Sequence, residues 1–171
     1  KLSQKGLKTQ IVFGTGTNRA HPTKTEIKHP DNMMMMFAPI SRTYGQSFPD
    51  KFNVTTLPEY KHNGFVLPVN VDDNLAYLHA WKQRFKGDAI DFDYHLMWDH
   101  HYDPGYFEVA KILQKDMASL DKIGLDGMIS CQLLRAAFPN GLPQYTMAKT
   151  LWNKELSFNE IKDEYFSTAY G

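Results

Sequence analysis

Cysteine is almost missing from this chain, with Cys131 the only one in 171 residues, which excludes an internal disulfide framework and any multi-cysteine zinc site. A lone cysteine of this kind reads as a small buried core residue. An excess of charge of one sign is missing too. Lys plus Arg and Asp plus Glu number 19 each, so the basic field on which nucleic acid binding depends is absent and no nucleic acid partner is expected. No apolar run approaches bilayer length, and the opening KLSQKGLKTQ has no signal-peptide core, so no membrane span is expected. That opening reads as the end of a helix, which leads to the expectation that the chain is a piece of a longer protein. Nucleotide-binding motifs are also lacking: Gly14-Thr15-Gly16 has no third glycine and no clear acidic partner, and there is no Walker sequence.

What is present is enough apolar material, 42% hydrophobic and 13% aromatic, to bury one sizeable core, so residues 1–171 are expected to form a single domain. Two short apolar runs, QIVFGT at 10–15 and NMMMMFAPI at 32–40, read as strands buried on both faces of a parallel sheet. The four methionines fit such a strand better than a sulfur-rich metal box. Segment 46–70, with Pro49, Pro58, Gly64 and Pro68, is a long irregular connection of the sort that borders functional sites. Val71, Leu75, Leu78 and Phe85 then recur at helical spacing, with Asp72 and Asp73 favourable in the first turn. Gly87 ends that helix before a strand at 89–97. Phe107, Ala110, Leu113, Met117 and Leu120 define the next helix, ending near Gly124, and Gly127–Gln132 is a short strand. Pro143 begins another helix through Trp152, and Ser157-Phe158-Asn159-Glu160 is a capping box that opens a last one. Strands alternating with helices predict a parallel sheet covered by helices. Four strands in this length amount to half of a TIM-type (β/α)8 barrel, with an open doubly wound sheet as the alternative.

The stretch DAIDFDYHLMWDHHYDP at 88–104 concentrates the chemistry. Ile90, Phe92, Tyr94 and Leu96 alternate with Asp91, Asp93 and His95, a period of two that marks a strand and a polar face suited to a wet barrel lumen. Trp98, Asp99, His100, His101, Tyr102 and Asp103 follow within six residues. Asp103-Pro104 then reads as a helix N-cap with proline in the first turn, which places the cluster in a strand-to-helix loop. Barrel enzymes build their sites from such loops.

The strings MFAPISRTYG (36–45), NLAYLHAW (74–81), DFDYHLMWDHHYDPGY (91–106), IGLDGMISCQ (123–132) and MAKTLWNKELSFNEIKDEYFSTAYG (147–171) resemble the C-terminal part of the bacterial domain-of-unknown-function family 4838. That family is grouped with glycoside hydrolases whose barrels are like those of hexosaminidases and α-glucuronidases. The resemblance covers nearly the whole chain in order. It implies an α/β fold, the C-terminal half of a TIM-type barrel in a cytoplasmic or exported carbohydrate-processing protein. It also implies that the first half-barrel is missing, along with the strand that carries the acidic pair in related hexosaminidases. The expected partners are therefore a carbohydrate ligand and either the missing half-barrel or another copy of the chain, whose unpaired strand edges would otherwise be exposed.

Glycoside hydrolysis needs two carboxyl groups flanking the scissile bond. Asp93 and Asp99, at or just past the strand end, are the catalytic candidates, although Asp91 and Asp93 equally suit structural pairs with barrel neighbours. Sugar binding asks for planar rings beside hydrogen-bonding side chains, and Trp98, Tyr102, His95, His100 and Asp99 supply both. Arg42 and Tyr44 follow the methionine-rich strand, where Arg42 suits an acidic sugar or a salt bridge to Asp91 or Asp93. Asn18, Arg19 and His21 follow the first strand, while Gln132 and Arg135 follow the last, so both groups fall on the same predicted face. Asp99, His100, His101 and Asp103 are metal-ligand types, but adjacent residues seldom converge on one ion and HExxH spacing is absent. Neither a metal nor a cofactor is expected. Two functions stay open: a glycoside hydrolase segment, and a non-catalytic carbohydrate-binding or structural module without a complete acid/base pair.

Overall fold

A computed structural model describes residues 11–14, 21–22, 24–25, 27, 30–49, 51, 56–64, 66–97, 99–132 and 139–171, without the side chains of Asp99, His100 and Gln132. The strands are β1 (Ile11–Gly14), β2 (Met33–Phe37), β3 (Ala89–Leu96) and β4 (Gly127–Gln132), and the helices are α1 (Val71–Arg84), α2 (Phe107–Ser119), α3 (Leu142–Trp152) and α4 (Phe158–Tyr170). The four strands form one parallel sheet in the order β1-β2-β3-β4. Chain order and spatial order coincide. A doubly wound sheet would reverse direction at a switch point, so this unclosed sheet with flanking helices is a partial, TIM-barrel-like (β/α)4 arrangement.

The chain divides into two compact units, Lys1–Arg42, Phe52–Asp93 and Ile123–Ile129 in the first and Thr43–Lys51, Tyr94–Lys122 and Ser130–Gly171 in the second. In the first, β1 pairs with β2 from Ile11↔Met33 to Gly14↔Met36, and β2 pairs with β3 from Met35↔Ala89 to Phe37↔Asp91. Phe13 meets the ring of Phe85 edge-on at 5.0 Å between centroids and that of Trp81 at 6.2 Å. Together with buried Met35, Phe37, Leu75, Leu78 and Ala89 these form the core of this unit. Helix α1 starts where Asn70 Oδ1 accepts from the Asp73 amide at 2.7 Å, an N-cap that satisfies one of the unpaired first-turn donors. Gly87 follows the helix because a Cβ there would lie 2.6 Å from the Phe85 ring. The Ala89 amide and carbonyl both bond Asp126, at 2.8 Å to Oδ2 and 2.7 Å from the amide.

β1 corrects one expectation. It is not buried on both faces, since Ile11 is 48% and Val12 52% exposed. An outermost strand of an unclosed sheet is paired along one edge only, and a short local sequence does not say which strand that will be. Among the four methionines of β2 only Met35 is buried, and Cys131 is half-buried rather than a core residue.

In the second unit α2 packs on α3 and α3 on α4. Leu113, Leu142 and Ile161 are fully enclosed. The expected capping box opens α4: the Glu160 amide donates to Ser157 Oγ at 3.3 Å and the Ser157 amide donates to Glu160 Oε2 at 2.8 Å. The start of α2 differs from the sequence reading. Residues 99–102 form a short 3-10 turn, Tyr106 takes a left-handed φ of 59°, and the helix begins at Phe107. Asp103 still caps it from a distance, its Oδ2 accepting from the Val109 amide at 2.9 Å. Among the described residues, no helix is long and apolar enough to cross a membrane.

Candidate functional site

Alternation along β3 sends Asp91, Asp93 and His95 to one face. All three are fully buried, whereas the sequence pattern suggested a wet lumen. A charge out of water must be paired or hydrogen-bonded, and for Asp93 and His95 the structure supplies partners from segments distant in sequence.

In the first unit the partner is Arg42, which follows the turn after β2. Arg42 Nη2 lies 2.8 Å from Asp93 Oδ2 and Nε lies 3.5 Å from Oδ1, with neither side chain exposed. The planar guanidinium fork matches the carboxylate. Arg42 is positioned by its own backbone, whose amide donates to Pro39 O at 3.0 Å, while Ser41 Oγ donates to Pro68 O at 2.8 Å and ties the turn to the chain entering α1. Of the two roles open to Arg42, the structure displays the salt bridge. Asp93 accordingly accepts both of these hydrogen bonds from the Arg42 guanidinium.

In the second unit His95 Nε2 lies 2.7 Å from Asp116 Oδ2, both side chains buried. Asp116 Oδ1 accepts from the Phe48 amide at 2.6 Å. The Tyr44 ring rests beside the His95 ring at 5.1 Å, and its hydroxyl accepts from the Tyr94 amide at 3.1 Å. One carboxylate on α2 thus fixes both the imidazole of β3 and the segment carrying Tyr44 and Phe48. Asp116 is the residue that the sequence reading missed. Its signal was there: it sits on the buried stripe of α2 with Val109, Leu113 and Met117, where an unpaired acid would be costly.

Beyond the end of β3 the character changes. Tyr102 ends the 3-10 turn with 86% of its surface exposed, and His101 beside it is exposed as well. Of the remaining expected site residues, Asn18, Trp98 and Arg135 lie outside the described residues. Asp99 and His100 are located only by backbone in the 3-10 turn, and Gln132 only by backbone at the end of β4. The structure therefore brings Arg42 to Asp93 and brings Tyr44 and Asp116 to His95, and it presents Tyr102 to solvent. Comparison with protein-family models, curated proteins and solved structures finds no match to this chain.

Proposed function

We propose that the chain is a segment of a glycoside-hydrolase-type (β/α) barrel, related to the family it resembles, that binds a glycoside or polysaccharide on the loops following its strands. The observation that carries this reading is the exposed Tyr102 ring with His101 beside it, on the loop immediately past β3. An accessible aromatic ring can stack on the apolar face of a sugar while neighbouring polar groups bond its hydroxyls. Beneath that loop the locked His95–Asp116 pair serves as framework, holding the strand end in one geometry.

A specific observation favours the non-catalytic form of this reading for the segment taken alone. Asp93 is enclosed and paired with Arg42, so proton donation falls to Asp99 or to a carboxyl from another part of the barrel. The open edges at β1 and β4, with Ile11, Val12 and Ile129 half-exposed, support association with the missing half-barrel or a second copy.

The test is isothermal titration with a panel of oligosaccharides, together with turnover of aryl glycosides. Binding that Tyr102→Ala weakens about tenfold supports the site. Turnover lost in Asp99→Asn but retained in the wild type supports the enzyme, and saccharide binding without turnover supports the module. Absence of binding across the panel refutes both.

A further inference from the structure

The connection between β2 and α1 contains two adjoining depressions that the reading above leaves unused. The larger, of about 380 Å³, has aliphatic walls from Leu57, Pro58, Val66, Leu67, Val69 and Ala76, with Thr56, Asp73 and Tyr77 as its polar members. That volume falls within the range of ordinary small-molecule sites, roughly 300–1,000 Å³. The smaller, of about 240 Å³, is lined by His21, Glu59 and Lys61 and shares Pro58 and Val66 with its neighbour. Aliphatic side chains predominate in the first lining, whereas the second carries three ionisable side chains. Both belong to a strand-to-helix connection, the position from which barrel folds build binding sites.

Lys61 and Gly64, both in the lining of the smaller depression, belong to one tight turn. The Gly64 amide donates to Lys61 O at 3.1 Å, Asn63 holds a left-handed φ of 58°, and a Cβ on Gly64 would sit 3.0 Å from Lys61 Cβ. Asparagine is one of the few non-glycine residues that adopt this region readily. His21 is set against both Tyr60 and Tyr77, with ring centroids at 5.6 and 5.4 Å in edge geometry. That contact joins the segment after β1 to α1.

We infer that this connection is a two-part site for a glycoside bearing an apolar aglycone, with the sugar held by His21, Glu59 and Lys61 and the aglycone enclosed by the larger depression. The inference rests on the saccharide reading proposed above and gives it a ligand class. A pyranose in the larger depression would set hydroxyls against its aliphatic side chains, and each group left unpaired there is unfavourable. A flat or branched apolar group there buries hydrocarbon against hydrocarbon. In the smaller depression a carboxylate, an ammonium and an imidazole supply acceptors and donors for sugar hydroxyls. Pro58 and Val66 form the wall that the glycosidic linkage crosses.

The experiment is amide chemical-shift mapping of the protein with three probes: 4-nitrophenyl glycosides of glucose and N-acetylglucosamine, the corresponding methyl glycosides, and 4-nitrophenol. The expected result is that an aryl glycoside shifts residues of both depressions and binds about tenfold or more tighter than its methyl counterpart. Val66→Asp, at a position exposed enough to leave the fold intact, should weaken the aryl glycoside about tenfold. Glu59→Gln should weaken the methyl glycoside. If 4-nitrophenol binds as tightly as its glycosides, the sugar part of the site is refuted. Shifts confined to His101 and Tyr102 overturn this inference while leaving the proposed function intact, and no shift with any probe overturns both.

Discussion

Asp93→Asn is the perturbation on which the structural and catalytic accounts of the strand-end carboxylate diverge. The side chains of Arg42 and Asp93 are both fully buried with Nη2 2.8 Å from Oδ2, so neutralising the carboxylate leaves a guanidinium without its counter-charge in a dry interior. Removing one partner of such a pair typically costs about 3–5 kcal/mol. With a urea m-value of about 2 kcal/mol per molar, the midpoint of unfolding should fall by roughly 1.5–2.5 M. The double variant Arg42→Met/Asp93→Leu replaces the pair with apolar volume and should recover most of that loss, because the pair's own net contribution is small once desolvation is counted. Urea titration followed by tryptophan fluorescence reads both quantities. A single variant that unfolds within about 0.3 M of wild type, at the m-value above, would refute the reasoning. If such a variant also lost glycoside turnover, Asp93 would return as a catalytic candidate.

Other perturbations test the remaining parts. Asp116→Ala strips both the Phe48 amide and His95 of an acceptor, and each buried orphan costs about 1–3 kcal/mol; the melting temperature should drop and the Phe48 amide should lose hydrogen-exchange protection, whereas unchanged protection would refute its anchoring role. On the α3–α4 side, the Ser157 hydroxyl and amide lower Glu160, Lys149 and Tyr145 lower Glu164, and Lys154 lowers Asp121. These depressed folded values mean that their stabilisation is present above the ordinary values of 4.5 and 3.8 and is lost as pH falls through the lower folded ones. Lys149 and Lys154 are raised above 10.5 by Glu164 and Asp121, so their share is present below that pH and lost only as pH rises past the folded values. Far-UV circular dichroism against pH should therefore show helicity falling in acid, with Ser157→Ala shifting the onset to higher pH; an identical acid limb in the variant would contradict the assignment. Association through the open sheet predicts that light scattering finds concentration-dependent oligomers reduced by Ile11→Lys or Ile129→Lys, and a wild-type monomer at every concentration would contradict it.

The strand and helix framework was legible because its signals are local. The alternation in β3 and the Ser157/Glu160 box specify their elements within a few residues, and Gly124, with φ of 84°, marks the end of the α2 region as glycine should. Burial of the polar face was not legible. Whether Asp93 and His95 line a lumen or lie enclosed depends on Arg42 and Asp116, which reach them from 51 and 21 residues away. Asp103-Pro104 imitated a helix start, yet the left-handed Tyr106 delays α2 while the Asp103 carboxylate reaches past the turn to Val109. The exposure of β1 follows from its place at the sheet edge, a property of assembly that IVFG does not carry. The two depressions of the 56–69 connection were anticipated only as a long loop bordering a site.

A crystal soaked with the best-binding oligosaccharide tests the central claim most directly. The account predicts sugar density on the strand-to-helix side, against Tyr102 past β3 or beside His21 and Glu59. Sugar confined to the exposed Trp152 and Tyr170 of α3 and α4, or no density at a saturating concentration, would contradict it.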